Sequence, residues 1–187
     1  MKKIPTNLPD VWELLPTVFP DERGLFVESY NQARFVDLGI PETFVQDNHS
    51  WTFKKHTLRG LHYQVKHAQA KLCRVVEGEV LDVAVDIRRG SPTFGKSASV
   101  VLSAEKKNMI YIPAGFAHGF LVIKEPAQFL YKCSDFYSKP DERGVNWGDP
   151  ALGIDWGTST PILHIRDAEF PNLSDVPPAD LPTYRPK

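Results

Sequence analysis

Two segments of this sequence, Leu58-Arg59-Gly60-Leu61-His62-Tyr63-Gln64 and Pro113-Ala114-Gly115-Phe116-Ala117-His118, decide how the chain folds. Each places one histidine in a short run that has the composition of a β-strand or a tight turn. The residues between the two segments form alternating apolar runs, which are typical of the strands of a small antiparallel barrel. Because the mouth of such a barrel can hold one small ligand, the two histidines are candidates for a ligand site.

The composition favours an all-β fold in a single domain that spans residues 1–187. The chain is 42% hydrophobic, which is enough for a full core, and its 16 prolines and 12 glycines exceed what a helical bundle tolerates. The 22 basic and 23 acidic residues form no long run of either sign. Bulk charge therefore attracts neither nucleic acid nor an anionic membrane, and an anionic ligand must be held by a few placed arginines and lysines.

The cysteines and the N-terminus indicate the compartment. Cys73 and Cys133 lie in apolar runs, so we expect two buried free thiols. A signal peptide would continue from Met1-Lys2-Lys3 into an apolar segment, but prolines and polar residues occupy positions 5–10. The sequence therefore predicts a cytoplasmic protein.

Strands are predicted to dominate from Phe44 to about Tyr137. In the clearest one, Val80–Ile87, the apolar side chains share one face and Asp82 and Asp86 lie on the other. Further strands are predicted at 97–102 and 109–112, two short ones at 15–30, and a helix at 31–40 that Gly39 ends. The proline-rich tail, residues 171–187, should wrap the surface or be loosely ordered.

The spacing of Pro113, Gly115 and His118 resembles that of a cupin barrel, in which a turn delivers a histidine into the interior. The fold that this resemblance implies is a double-stranded β-helix, or jelly roll, with a few short helices. Metal-binding cupins carry a His-x-His pair in the first segment, and none surrounds His62. We therefore predict no metal and no cofactor. A metal-dependent cupin oxygenase and a catalytically silent sugar-binding cupin are the alternatives.

A longer series of motifs resembles the dTDP-4-dehydrorhamnose 3,5-epimerase family in order and spacing. The motifs lie at 19–28, 45–50, 58–64, 69–72, 112–120, 131–133 and 147–150. The resemblance implies an isomerase that epimerises dTDP-4-dehydro-6-deoxy-D-glucose at C3 and C5 during dTDP-rhamnose biosynthesis. A single-carbon epimerase acting on a related nucleotide sugar is the alternative within the same fold.

Epimerisation next to a ketone needs a base, a group that stabilises the enolate oxygen, and an acid on the opposite face. The resemblance implies that His62 is the base and Asp167 its carboxylate partner. Lys71 would face the enolate oxygen. Tyr131 is the candidate acid; its rival, Tyr137, is otherwise a substrate-binding residue.

The resemblance also implies a set of substrate-binding residues. Arg23 and Arg59 suit phosphate, because a planar guanidinium matches two phosphate oxygens. Gln46 and Asn48 suit a base edge or a sugar hydroxyl, and His118 resembles a pocket residue. Strict alternation would put Arg59 and His62 on opposite faces of a strand, but a bulge at Gly60 can re-aim them.

Members of the family are dimers in which an N-terminal strand crosses to the partner. The resemblance therefore implies a homodimer in which Arg23, Phe26 and Glu28 serve the neighbouring subunit's site. The implied ligand is a dTDP-linked 4-keto-6-deoxysugar, with no nucleic acid and no membrane as partners.

Overall fold

The computed structural model describes residues 1–186 and is built mainly of β-strands. The strands are β1 Lys2–Pro5, β2 Trp12–Leu15, β3 Val18–Asp21, β4 Gly24–Val27, β5 Gln46–Thr52, β6 Leu58–Gln64, β7 Lys71–Asp86, β8 Ser97–Ser103, β9 Met109–Ile112, β10 Phe116–Cys133 and β11 Glu142–Gly144. The α-helices are α1 Gln32–Asp37 and α2 Ile165–Ala168, and short 3-10 helices lie at 139–141, 150–152, 173–175 and 178–180. Within residues 1–186, no helix has the length and apolar character needed to cross a membrane.

The two longest strands, β7 and β10, pair with each other and organise the barrel. Each bends and takes different neighbours along its two halves. The first half of β7 pairs with β9 and the second with β8. The first half of β10 pairs with β6 and the second with β5. This arrangement confirms the predicted all-β, cupin-like double-stranded β-helix.

Gly78 marks the bend in β7. Its φ of +74° suits glycine, and a Cβ there would lie 2.3 Å from the carbonyl oxygen of Pro126. The facing part of β10 loses regular register between Lys124 and Gln128. The paired bends allow two strands to serve both halves of the barrel.

In the second half of β7, from Val80 onward, both faces are largely buried. Val83, Val85 and Ile87 pack with Leu58 and Leu61 in one core cluster, which confirms the predicted apolar face. The opposite face lines the barrel interior, where Asp82 and Asp86 are fully buried. Asp86 accepts hydrogen bonds from Arg88, Ser91 and Thr93. Burial alone would raise the pKa of this carboxyl, but these donors bring it below its ordinary value.

The proline-rich tail wraps the barrel surface and is anchored to it. Of the two predicted arrangements, wrapping the surface is therefore the one observed. Leu173, Val176 and Leu181 are buried against the β6 and β7 core. Further along, Thr183 bridges to Arg89, and the Tyr184 ring lies 5.0 Å from the guanidinium carbon of Arg88. The tail thus covers an apolar surface that would otherwise face water.

A close approach between β6 and β10 sets the position of the two histidines. His62 pairs directly with His118, while Arg59 pairs with Phe120, so β6 carries one extra residue between these pairs. The bulge predicted at Gly60 is therefore confirmed. Gly60 has φ +121°, and a Cβ there would lie 2.6 Å from the Cα of Gly119. Without side chains at these two glycines, the strands can approach closely enough for the bulge to turn Arg59 and His62 toward the same cavity.

We expect Gly60→Ala to lower the melting temperature more than Gly90→Ala. Gly90 has a comparable positive φ of +81° but open space where a Cβ would be, so it serves as the control for backbone strain alone. That strain lowers the free energy of unfolding by about 1–2 kcal/mol. For a chain of this size, this corresponds to a fall in melting temperature of about 2–8 °C. The clash with β10 should add to this in Gly60→Ala. Scanning calorimetry measures both, and equal shifts would show that the close approach has no special role.

Candidate active site

A cavity of about 660 Å³ lies against β6 and β10, a volume that suits a small organic ligand. Seven of the predicted site residues line it, from β6, the start of β7, β10, the segment that follows β10, and α2. They are Arg59, His62, Lys71, His118, Tyr131, Tyr137 and Asp167. The barrel therefore brings together residues that are far apart in sequence.

His62 and Asp167 form a hydrogen-bonded pair. The His62 Nε2 atom lies 2.9 Å from Asp167 Oδ1, and Asp167 Oδ2 accepts from the Gly60 backbone N–H at 3.1 Å. Burial alone would raise the pKa of the Asp167 carboxyl, but the His62 and Gly60 hydrogen bonds and the nearby Arg166 charge lower it overall. The carboxylate is thus ionised near neutral pH. It fixes the His62 tautomer with the proton on Nε2 and leaves Nδ1 as the basic nitrogen.

Phe170 holds the His62 ring from the side. The two ring centroids are 5.6 Å apart and the rings meet edge to face. Phe170 occupies the space above Gly144, where a Cβ would lie 2.2 Å from its ring. Gly144 pairs with His62 in the β11–β6 ladder. The missing side chain at Gly144 therefore makes room for the ring that packs against His62.

Lys71 and Tyr131 stand together in another part of the cavity. The Lys71 ammonium lies 5.7 Å from the centre of the Tyr131 ring and donates to Gln69 Oε1 at 2.8 Å. The Tyr131 ring also packs against Phe129. Burial, followed by the neighbouring cysteines, raises the pKa of Tyr131 well above its ordinary value, so the phenol keeps its proton.

Tyr137 occupies the exposed rim. Its hydroxyl donates to Glu142 at 3.0 Å, and the Arg166 guanidinium donates to the same carboxylate at 2.6 Å. Gln64 fixes the segment below, because its side-chain carbonyl accepts from the Ser138 N–H at 2.7 Å. The two candidate tyrosines thus differ in setting, with Tyr131 half-buried inside the cavity and Tyr137 52% exposed at its edge.

His118 has its own carboxylate partner in the floor of the cavity. Both carboxylate oxygens of Asp82 lie 3.0 Å from His118 Nε2, and Cys73 Sγ lies 4.0 Å from the same nitrogen. Among the described residues, the donor atoms of Cys73, Asp82 and His118 form a group that can hold a metal ion. Both cysteines are buried free thiols, which confirms the expectation for the pair.

Arg59 lies at the opening. It is exposed, lines the cavity and donates to Thr52 Oγ1 at 3.4 Å. An exposed guanidinium on a cavity wall can bind an anionic group of a ligand.

Five predicted binding residues do not line the cavity of their own chain. Arg23 and Phe26 lie on the exposed β3–β4 hairpin, and Glu28 follows it and forms an ion pair with Arg34. Gln46 and Asn48 lie on β5, where the Gln46 amide donates to Asn48 and its carbonyl accepts from the Tyr137 N–H. Gln46 thus supports the rim from behind.

Several cavity residues were missed by the sequence analysis. Gln69 belongs to the motif that contains Lys71, and Arg166 is next to Asp167, so sequence proximity could have indicated both. Glu142 lies in a copy of the Pro-Asp-Glu-Arg-Gly segment also found at 20–24, and that repeat carries no signal for a cavity. Phe170, which packs against His62, was missed as well, because no local pattern encodes its contacts with His62 and Gly144.

Comparison with known proteins gives one consistent family. A sequence model described as dTDP-4-dehydrorhamnose 3,5-epimerase matches residues 5–175. A dTDP-4-dehydrorhamnose 3,5-epimerase from Shigella flexneri is 53% identical over 178 residues, which cover 94% of this chain and 98% of the relative.

Solved structures agree with the sequence match. The crystal structure of a dTDP-6-deoxy-D-glucose-3,5-epimerase from Legionella pneumophila, in complex with dTDP-4-keto-L-rhamnose, superimposes with a TM-score of 0.96 at 44% identity and covers 99% of each chain. A 3'-monoepimerase from Streptomyces bikiniensis, in complex with dTDP-quinovose, gives a TM-score of 0.87 at 34% identity, covering 97% of this chain and 93% of the other. The fold is therefore shared by enzymes that differ in how many carbons they invert.

Proposed function

The chain belongs to the dTDP-4-dehydrorhamnose 3,5-epimerase family, and from this premise we propose a role for each side chain of the cavity. The protein is an isomerase of dTDP-rhamnose biosynthesis that converts dTDP-4-dehydro-6-deoxy-D-glucose to dTDP-4-dehydro-L-rhamnose. The C4 ketone acidifies the protons on both C3 and C5, so one set of acid and base groups can serve both carbons. The observation that carries the residue assignment is the His62–Asp167 pair in one cavity with Lys71 and Tyr131.

His62 removes the α-proton through Nδ1. Asp167 holds Nε2–H and stabilises the imidazolium that forms, as a buried carboxylate does for a catalytic histidine. The edge contact with Phe170 limits rotation of the ring. The pair can therefore act as a general base without help from a metal or a cofactor.

Lys71 stabilises the negative charge that develops on the C4 oxygen. Its ammonium is oriented by Gln69 and lies in a partly buried position, where water weakens the attraction less than it does on the surface. No other lysine of the described residues lines the cavity.

Tyr131 returns a proton to the face opposite His62. Its raised pKa keeps the phenol protonated until the strongly basic carbanion forms. When the proton transfers, the phenolate that remains is close to the Lys71 ammonium, which stabilises it.

Arg59 binds the diphosphate of the nucleotide. It stands at the opening of the cavity and keeps most of its guanidinium donors unused, and its planar fork matches phosphate oxygens. The nucleotide then lies at the rim and the sugar lies inside.

We also propose a homodimer in which the β3–β4 hairpin completes the neighbouring site. Phe19 and Leu25 are 55% and 52% exposed on this hairpin, and Phe26 is 68% exposed. Such an apolar patch on a projecting element is typical of an interface. Arg23 contacts Asp21 on its own hairpin and leaves its side chain 84% exposed, so it is available to a partner's ligand.

A cytoplasmic location completes the proposal. It is supported by the two buried free thiols, because cysteines stay reduced in that compartment.

Deuterium exchange tests the base. In D₂O, we expect the wild-type protein to introduce deuterium at both C3 and C5 of the keto sugar, measured by mass spectrometry, whereas a monoepimerase would label one inverted centre. His62→Ala should reduce exchange by roughly 10²–10⁴, the usual contribution of a general base. Nucleotide binding, measured by calorimetry, should change only a few-fold. Exchange at the wild-type rate in His62→Ala would remove His62 from this role.

A matched pair of tyrosine variants tests the acid. Tyr131→Phe should still exchange deuterium, because His62 and Lys71 can form the enolate and quench it from one side, but inversion should collapse. Tyr137→Phe removes the same atom from the exposed rim and should affect inversion much less. Both changes preserve the ring and its packing. Normal inversion by Tyr131→Phe together with none by Tyr137→Phe would exchange the two assignments.

Mixed dimers test the exchanged hairpin. His62→Asn and Arg23→Ala are each expected to weaken turnover as homodimers. When the two are co-expressed with different tags and purified as a mixed dimer, one site receives both defects and the other receives none, so turnover should recover. If Arg23 served its own chain, both sites would carry one defect and turnover would stay low.

A further inference from the structure

Three donor atoms of different chemistry meet beneath the cavity floor. Cys73 and Asp82 come from β7 and are fully buried, and His118 comes from β10 and is 7% exposed. One donor atom from each lies within 4.8 Å of the other two. His118 also lines the cavity, so the group is next to the substrate space and outside the His62, Lys71 and Tyr131 set.

The separations are close to those of a metal site. With zinc bonds of about 2.0–2.3 Å to nitrogen, oxygen and sulfur, the ligand atoms of a tetrahedral site lie about 3.3–3.6 Å apart. The nitrogen-to-oxygen separation here is 3.0 Å, the nitrogen-to-sulfur separation is 4.0 Å, and the sulfur lies within 4.8 Å of the carboxylate oxygen. Side-chain adjustments of about 1 Å bring all three into that range, an amount that rotamer relaxation can supply.

We propose that Cys73 Sγ, the Asp82 carboxylate and His118 Nε2 bind one divalent cation of the zinc class, and that its binding inhibits epimerisation. A thiolate with an imidazole favours a borderline-soft ion over Mg²⁺ or Ca²⁺. Three protein ligands leave the fourth position of a tetrahedral ion open to a further ligand.

The proton balance of binding is simple. The Cys73 thiol gives its proton to solvent, and the neutral His118 imidazole moves its proton from Nε2 to Nδ1, so one proton is released for each ion bound. Thiolate and carboxylate then neutralise the two charges of the cation. Because one proton leaves for each ion bound, binding should strengthen as pH rises.

Inhibition follows from a change at His118, which lines the cavity. Its Nε2 atom lies against the Asp82 carboxylate, so Nδ1 is the nitrogen left for a ligand. When the ion occupies Nε2 and the ring proton moves to Nδ1, that nitrogen changes from a hydrogen-bond acceptor to a donor. His62 is the cross-strand neighbour of His118, but its hydrogen bond to Asp167 uses no atom of the metal-binding group.

Cobalt titration of the whole chain tests the site directly. Co²⁺ bound to a thiolate absorbs in the near ultraviolet, and this band is read without turnover. We expect one Co²⁺ per chain, displaced by Zn²⁺, with the band lost in Cys73→Ala and kept in Cys133→Ala. Cys133 is the matched control because it is also buried, yet its sulfur accepts from the Asn48 amide and is no part of the group.

A variant that weakens metal affinity should weaken inhibition by Zn²⁺ to the same extent. Changing a group that merely orients a ligand costs about 10- to 100-fold in metal affinity, so losing the Cys73 sulfur should cost at least about 100-fold. Cys73→Ala should turn over normally without metal and resist Zn²⁺ inhibition by a similar factor. Asp82→Asn should weaken Co²⁺ binding while keeping the thiolate band. This second variant shows whether a result with Cys73→Ala comes from the lost ligand or from misfolding.

Two results would overturn the proposal. One is the absence of a thiolate band in wild-type protein saturated with Co²⁺, and the other is equal Zn²⁺ inhibition of the wild type and Cys73→Ala. Failure of the epimerase assignment would look different, because chelator-treated wild type would then fail to exchange deuterium whatever its cobalt spectrum.

Discussion

The hydrogen bond between His62 and Asp167 is the constraint on which the active site depends, because it joins two residues that are 105 positions apart. The strand that carries His62 is complete by Gln64, but the carboxylate arrives only on α2, after the chain has formed the rest of the barrel. Gly60 contributes to the same contact, since its N–H donates to the second carboxylate oxygen. The bulge and the proposed catalytic pair are therefore one structural unit, and the C-terminal segment lines the cavity as well as covering the core.

Sequence patterns predicted those elements whose determinants are local. The strand predicted at 109–112 has the same limits in the structure, and the helix predicted at 31–40 is present as Gln32–Asp37 with Asn31 as its cap. The bulge at Gly60 was predictable because strict alternation conflicted with two residues that the motif required on one side. Each of these depends on neighbours in sequence, where spacing and residue type carry the information.

Contacts that depend on strand register could not be found in the same way. The period-two pattern of Val80–Ile87 separates the aspartates from the apolar side chains, but it does not tell whether the second face meets water or the barrel interior. In this fold the second face is interior, so Asp82 pairs with His118 and Asp86 with Arg88. The rim formed by Tyr137, Glu142 and Arg166 is also partly non-local, because Glu142 accepts from nearby Tyr137 and from Arg166 on α2.

Burial also explains how one cavity can supply opposite proton functions. The proposed base, His62, is paired with a carboxylate whose pKa is lowered, so this partner stays ionised and can stabilise the imidazolium that proton removal creates. An acid that quenches a carbanion need not be strong, because the carbanion is far more basic than a phenolate. It must instead stay protonated and close to the reacting carbon. As the proposed acid, the half-buried Tyr131 meets this requirement through its raised pKa, and the Lys71 ammonium beside its ring would stabilise the phenolate that proton transfer leaves. The same low-dielectric floor that favours a neutral phenol at Tyr131 keeps the Cys73 thiol neutral, so a cation can enter beside His118 only by displacing that proton.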